Sequence, residues 1–157
     1  MDLRKLLQKV ETAPVGSTEL DNEFASTFRG APPNVTRSID AAVQLIEIEL
    51  PGWWWNCGYC AIRNGASLYV PGSSRIRTNF PGASLDPDCQ SRPQDLWLLQ
   101  HPRWGELFHN GFHCDRGGTV PLAILIVFLQ AKIALTFVQQ PESTNKIVRW
   151  ENRKSRT

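Results

Sequence analysis

Between residues 52 and 65 the chain reads GWWWNCGYCAIRNG, setting Cys57 and Cys60 in a Cys-x-x-Cys spacing directly behind three tryptophans. Two chemistries use that spacing. A dithiol carries out redox exchange when it opens a helix, whose N-terminus lowers the thiol pKa. Two thiolates joined by two imidazoles suit tetrahedral Zn²⁺, and His109 and His113 would complete such a set.

The surrounding residues argue against both. Ala61-Ile62-Arg63-Asn64-Gly65 reads as strand and hairpin turn, with Asn64-Gly65 supplying the positive φ angles of the turn, so the dithiol lacks its helix. On a regular strand, residues three apart point to opposite faces and cannot close a disulfide together. For zinc, the 48 residues between Cys60 and His109 announce no knuckle, and Asn110-Gly111 bends the chain between the histidines. Cys114 beside His113 and Asp115 has the residue types of a thiol nucleophile, but neighbours on a strand face apart and a catalytic Cys and His meet through the fold. DRGGT, residues 115–119, lacks the GxxxxGK[ST] pattern of a phosphate loop. The sequence therefore predicts no enzyme, no cofactor and no metal, and leaves a zinc- or thiol-dependent protein built on Cys57, Cys60, His109 and His113 as the alternative.

Binding chemistry is better represented. Alternation along a strand turns at least one of Trp53, Trp54 and Trp55 outward, while Trp97 and Trp104 fall in an irregular stretch with Arg75, Arg77, Arg92 and Arg103. Tryptophan and arginine together are the residue types of binding hot spots. Arg75, Arg77, Trp97, Arg103 and Trp104 are the predicted contact surface. A host or phage protein is the predicted partner. Nucleic acid is the lesser alternative, because the arginines are scattered and the net charge is only +2. The charge is unevenly but modestly split: residues 1–50 carry 5 basic and 8 acidic side chains, and residues 51–157 carry 12 and 7, a difference that could steer a partner.

The positioning elements follow from periodicity. Leu3, Leu6, Leu7 and Val10 mark a helix over 2–12; Ser17 or Thr18 caps a second, with Leu20, Phe24 and Phe28 on one stripe up to Gly30. Asn34-Val35-Thr36 is read as a turn. Ser38 caps a third helix with Asp40 in its first turn, an inner face of Ile39, Ala42, Val43, Ile46 and Leu50, and a stripe widened by Leu45 and Ile48. A hairpin of 53–62 and 66–70 comes next. Residues 71–105 hold five prolines and are predicted to be a long irregular loop, with one helical turn in QDLWLLQ. Residues 106–114 add one or two short strands, DRGGTVP turns the chain, and Thr119 caps a helix from 120 to about 135 with Pro121 in its first turn.

That last helix is apolar on every side, which suits burial; Gln130 and Lys132 interrupt it too early for a bilayer span. The charged N-terminus has no apolar signal core, so the expected location is the cytoplasm, with reduced thiols. The domain prediction is a single unit over 1–138 followed by a basic tail over 139–157.

Three segments together resemble a known family. ELDNEFASTF, TRSIDAAVQLIE running into GWWW, and TVPLAILIVFLQAKIA are similar, in this order, to the helices and Gly-Trp strand of the phage ABA sandwich domain, a family of small phage and prophage proteins. The likeness covers about three quarters of the chain in outline and is carried by packing residues. It implies an α+β fold, an α-β-α sandwich in which helices cover both faces of a small antiparallel sheet. It also implies a phage or prophage origin without an established activity, and the 71–105 loop and basic tail depart from the family pattern. The resulting expectation is a non-enzymatic accessory protein of the host cytoplasm that binds another macromolecule, including an inhibitor of host defence of the anti-CRISPR kind.

Overall fold

The computed structural model describes residues 2–60, 63–70, 108 and 110–139. The element order is α1 (Leu3–Thr12), α2 (Thr18–Thr27), α3 (Ile39–Glu49), β1 (Trp54–Cys60), β2 (Arg63–Tyr69), β3 (Phe112–Gly117) and α4 (Val120–Gln139). The three strands form one antiparallel sheet in the order β1-β2-β3. The fold is α+β with helices packed against the sheet, as the sequence predicts; among the described residues that packing covers one face of the sheet.

Each helix starts where a short polar side chain can satisfy an open N–H. Asp2 accepts from the Arg4 N–H at 3.0 Å, Ser17 from Leu20 at 3.1 Å, Ser38 from Ala41 at 3.3 Å and Thr119 from Leu122 at 3.4 Å. Helix α4 is the centre of the molecule. Leu122 through Leu129 are buried without a break, because strands lie on one side of the helix and α1 and α3 on the other. Among the described elements α4 alone makes extensive contact with the strands. Residues 71–105 and the tail beyond 139, where the long loop and basic end are predicted, lie outside the described residues.

Four local expectations are corrected. Asn64-Gly65 is not the hairpin turn: Cys60 pairs with Arg63, leaving residues 61 and 62 as the connection, and Asn64 and Gly65 lie inside β2. Their residue types serve the next strand instead. Asn64 Nδ2 donates to the carbonyls of Gly117 and Gly118 at 3.3 and 3.1 Å, and a Cβ at Gly65 would sit 3.2 Å from the Cys114 carbonyl, where the β2–β3 register shifts. Strand β3 also runs on through Asp115 and Arg116, so the turn shrinks to the two residues before α4. On α3 the buried stripe is Ala41, Ala42, Leu45, Ile46 and Leu50, while Ile39 and Ile48 are exposed, because α4 meets that helix along a single line. Finally, α4 continues to Gln139, one turn beyond the prediction.

A polar knot closes the other end of the helical layer. Thr36 is fully buried; its hydroxyl donates to Asp21 Oδ1 and accepts the Ser17 N–H. Gly16 is required beside it, since a Cβ there would collide with the Thr36 carbonyl.

Candidate binding face on the sheet

Alternation along the strands divides the sheet into two chemically different faces. Trp55, Cys57, Ala66, Leu68, Phe112 and Cys114 pack with the core. The opposite face carries Trp54, Asn56, Ser67, Tyr69 and His113 at the intervening positions; Asn56 and His113 are exposed, Trp54 and Ser67 are half-buried, and Tyr69 is buried.

The pairing sets Asn56 against Ser67 and Ser67 against His113, so three polar side chains form one row across all three strands. Ser67 Oγ lies 3.0 Å from His113 Nδ1, and His113 Nε2 lies 2.6 Å from the Asn110 carbonyl oxygen. A carbonyl only accepts, so Nε2 carries the proton and Nδ1 offers its lone pair to the Ser67 hydroxyl. The next row is aromatic. Trp54 pairs with Tyr69, their rings 5.6 Å apart, and the His113 ring meets Tyr69 edge-on at 5.3 Å. Gly111 makes room for this: at φ +70° it bends the chain, and a Cβ there would strike the Tyr69 ring.

Beside the polar row the face sinks into a hollow of about 480 Å³. Its floor is bare because Gly58 and Gly65 are cross-strand partners and neither brings a side chain. Asn56, Ser67, His113 and Asp115 supply its polar lining.

The ligand set weighed for zinc is not assembled by this geometry. Cys57 packs toward the core and His113 lies on the opposite face, with the sheet between them. Cys60 follows three residues on in the same strand, and His109 lies outside the described residues. Cys57 and Cys114 flank Ala66 in one row, which separates their Cα atoms by two strand spacings, about 10 Å, too far for a disulfide. Both are free thiols, and burial pushes both above the ordinary thiol pKa, the opposite of activation. For Cys114, Asp115 adds to the rise while the Arg116 and Gly117 N–H groups oppose it. His113 and Asp115 both lie on the other side of the sheet from Cys114, so the three neighbours form no nucleophile system.

Arg75, Arg77, Trp97, Arg103 and Trp104 lie outside the described residues. Of the tryptophans at 53–55, Trp53 is buried and stacks on Phe112 at 6.3 Å, and Trp55 packs partly against the core. Trp54 is turned to the polar face, as alternation requires. Sequence reading did not find Asn56, Ser67 and Tyr69; the signal was the alternation Ser67, Tyr69 against Ala66, Leu68, Val70, hidden by placing the turn at Asn64-Gly65.

Comparison with family models, curated proteins and solved structures found no match for this chain.

Proposed function

We propose that this protein works without catalysis, by binding another macromolecule, and that it is a phage- or prophage-encoded accessory protein acting in the host cytoplasm. The observation that carries the binding reading is the hollow on the polar sheet face. Glycine backbone forms its floor, and hydrogen-bonding side chains from all three strands line it. Fixed polar groups around an open backbone floor give a partner defined hydrogen-bonding positions and therefore an orientation.

The phage assignment is supported by the resemblance of the helical segments, and neutralising a host defence component, as anti-CRISPR proteins do, is the role it includes. In this reading Arg75, Arg77, Trp97, Arg103 and Trp104 extend the contact surface. The test is affinity capture from an infected host. One bait is the native chain, a second carries Asn56→Ala, Ser67→Ala and His113→Ala, and a third carries alanine at the five Arg and Trp positions. A partner held by the native chain and lost from the second bait supports the sheet face. Equal capture by all three removes both surfaces from the account.

A further inference from the structure

The two outer strands of the sheet are treated very differently by the sequence. Strand β3 carries Asp115 and Arg116, the charged residues that natural sheets use to keep an edge from pairing with another chain. Strand β1, WWNCGYC, has seven residues with no charge and no proline, and among the described residues its only partner strand is β2. Nothing in its composition resists the addition of a further strand.

The register tells which backbone groups are on offer. With two residues connecting Cys60 to Arg63, the pair that closes the hairpin exchanges hydrogen bonds, and the alternation continues at every second residue. Positions 54, 56, 58 and 60 therefore direct their N–H and C=O groups to β2. Positions 55, 57 and 59 direct theirs outward. Cys57 is the central residue of the strand, so an antiparallel copy of the same strand fits with Cys57 opposite itself and position 55 opposite position 59.

We infer that β1 is a homodimerisation edge: two copies of this chain pair through it about a two-fold axis at Cys57 and make one continuous six-stranded sheet. Such pairing closes roughly six backbone hydrogen bonds, two for each of the three outward positions. The axis stands perpendicular to the sheet and leaves each face on its own side. The Trp55 and Cys57 side chains of the two copies then meet on the α4 side, and the two hollows lie on the same polar face. An uncharged strand suits a second copy of itself better than a charged partner, because neither edge brings a group that would be left unpaired.

Cys57 makes the test clean. Its N–H points away from β2, so Cys57→Pro takes no bond from the hairpin but removes both donors at the two-fold axis. The experiment is sedimentation equilibrium on the full chain, with thermal unfolding followed in parallel. The expected result is a dimer for the native protein and a dissociation constant raised roughly tenfold or more by Cys57→Pro, with the fold intact. A native protein that stays monomeric, or a dimer indifferent to Cys57→Pro, overturns the inference. A second measurement needs no edge variant: with Cys60, Cys89 and Cys114 changed to Ser, a short bismaleimide should link two chains through Cys57. Failure to link them in a protein that sediments as a dimer, and whose Cys57 takes up a monofunctional maleimide, also overturns it.

Discussion

Asp21 Oδ1 accepts two hydrogen bonds from one residue, the backbone N–H of Thr36 at 2.8 Å and the Thr36 hydroxyl at 2.7 Å. The other carboxylate oxygen accepts from Arg37 Nε at 2.9 Å and meets its Nη2 at 2.7 Å. The Thr36 hydroxyl in turn accepts from the Ser17 N–H at 3.1 Å and lies 3.2 Å from the Ser17 carbonyl oxygen. The turn before α3 is thereby tied to the cap of α2, and α2 and α3 reach α4 as one layer.

Loss of the Thr36 hydroxyl should therefore unfold more than a turn. Thr36→Val keeps the shape but leaves the Asp21 carboxylate and the Ser17 N–H short of a partner in a buried place, so a loss of about 1–3 kcal/mol is expected in urea unfolding. The knot also sets a pH dependence. Burial alone would raise the Asp21 pKa, but the Thr36 and Arg37 hydrogen bonds and the Arg37 charge outweigh it and hold the carboxyl below its ordinary value. A depressed folded pKa gives stability that is complete above the unfolded value, about 4, and is lost as pH falls through the folded one. Chemical denaturation from pH 6 downward should show this acid loss in the native protein and much less of it in Asp21→Asn.

Lys132 is the single charge in α4, and it answers the question that helix raises. The stretch Val120–Val138 is long and apolar enough to cross a membrane, yet most of it is buried within the molecule. Lys132 Nζ reaches Glu49 of α3 at 2.9 Å and lies 5.8 Å over the Phe28 ring. Both charged groups keep about a quarter of their surface in water, which screens the pair. Replacing both partners, Lys132→Met with Glu49→Met, puts apolar packing in place of the pair and should change the stability by less than about 1 kcal/mol. Glu49→Ala, which leaves the ammonium alone beside Phe28, should cost more than that double replacement in the same thermal melts.

The helices were legible in the sequence because their signals are local. Ser17, Ser38 and Thr119 cap the helices they stand before, and the apolar stripe of α1 is the buried stripe. The sheet was legible in kind but not in register. Asn64-Gly65 has the residue types of a tight turn, and nothing near it reveals that those types are used by a strand more than 50 residues away, through Gly117 and Gly118. With the turn misplaced, Asn56, Ser67 and His113 could not be seen as one row. The Asp21–Thr36–Arg37 knot was hidden for the same reason, since hydrogen bonds between a helix and a distant turn leave no periodicity.

The Ser67–His113 pair provides a direct check on the non-catalytic proposal. A hydroxyl donating to an oriented imidazole is half of a nucleophile system, and such a serine reacts covalently with a fluorophosphonate. In His113 the second nitrogen is held by the neutral Asn110 carbonyl, not a carboxylate, and the ring is exposed. The imidazolium that must form during attack is then poorly stabilised. Mass spectrometry after fluorophosphonate treatment should find Ser67 unmodified. A stoichiometric adduct at Ser67, absent in His113→Ala, would overturn the proposal and make the hollow a hydrolase site.

The two core-facing thiols give the last prediction. Burial raises the pKa of Cys57 and of Cys114, so at pH 7.5 each holds less thiolate than a free cysteine and should react with iodoacetamide more slowly than the same residue in urea. The same shift bears on stability. A thiol whose folded pKa is raised stays protonated in the native state while the unfolded chain ionises, so stability declines as pH climbs past the unfolded value of about 8.5 and through the folded one. Replacing both thiols by alanine should flatten that alkaline decline. Because Ala66 stands between them, mild oxidation should leave no disulfide joining Cys57 to Cys114 within one chain. Peptide mapping that found such a bond in folded protein would show the β1–β2–β3 register to be wrong.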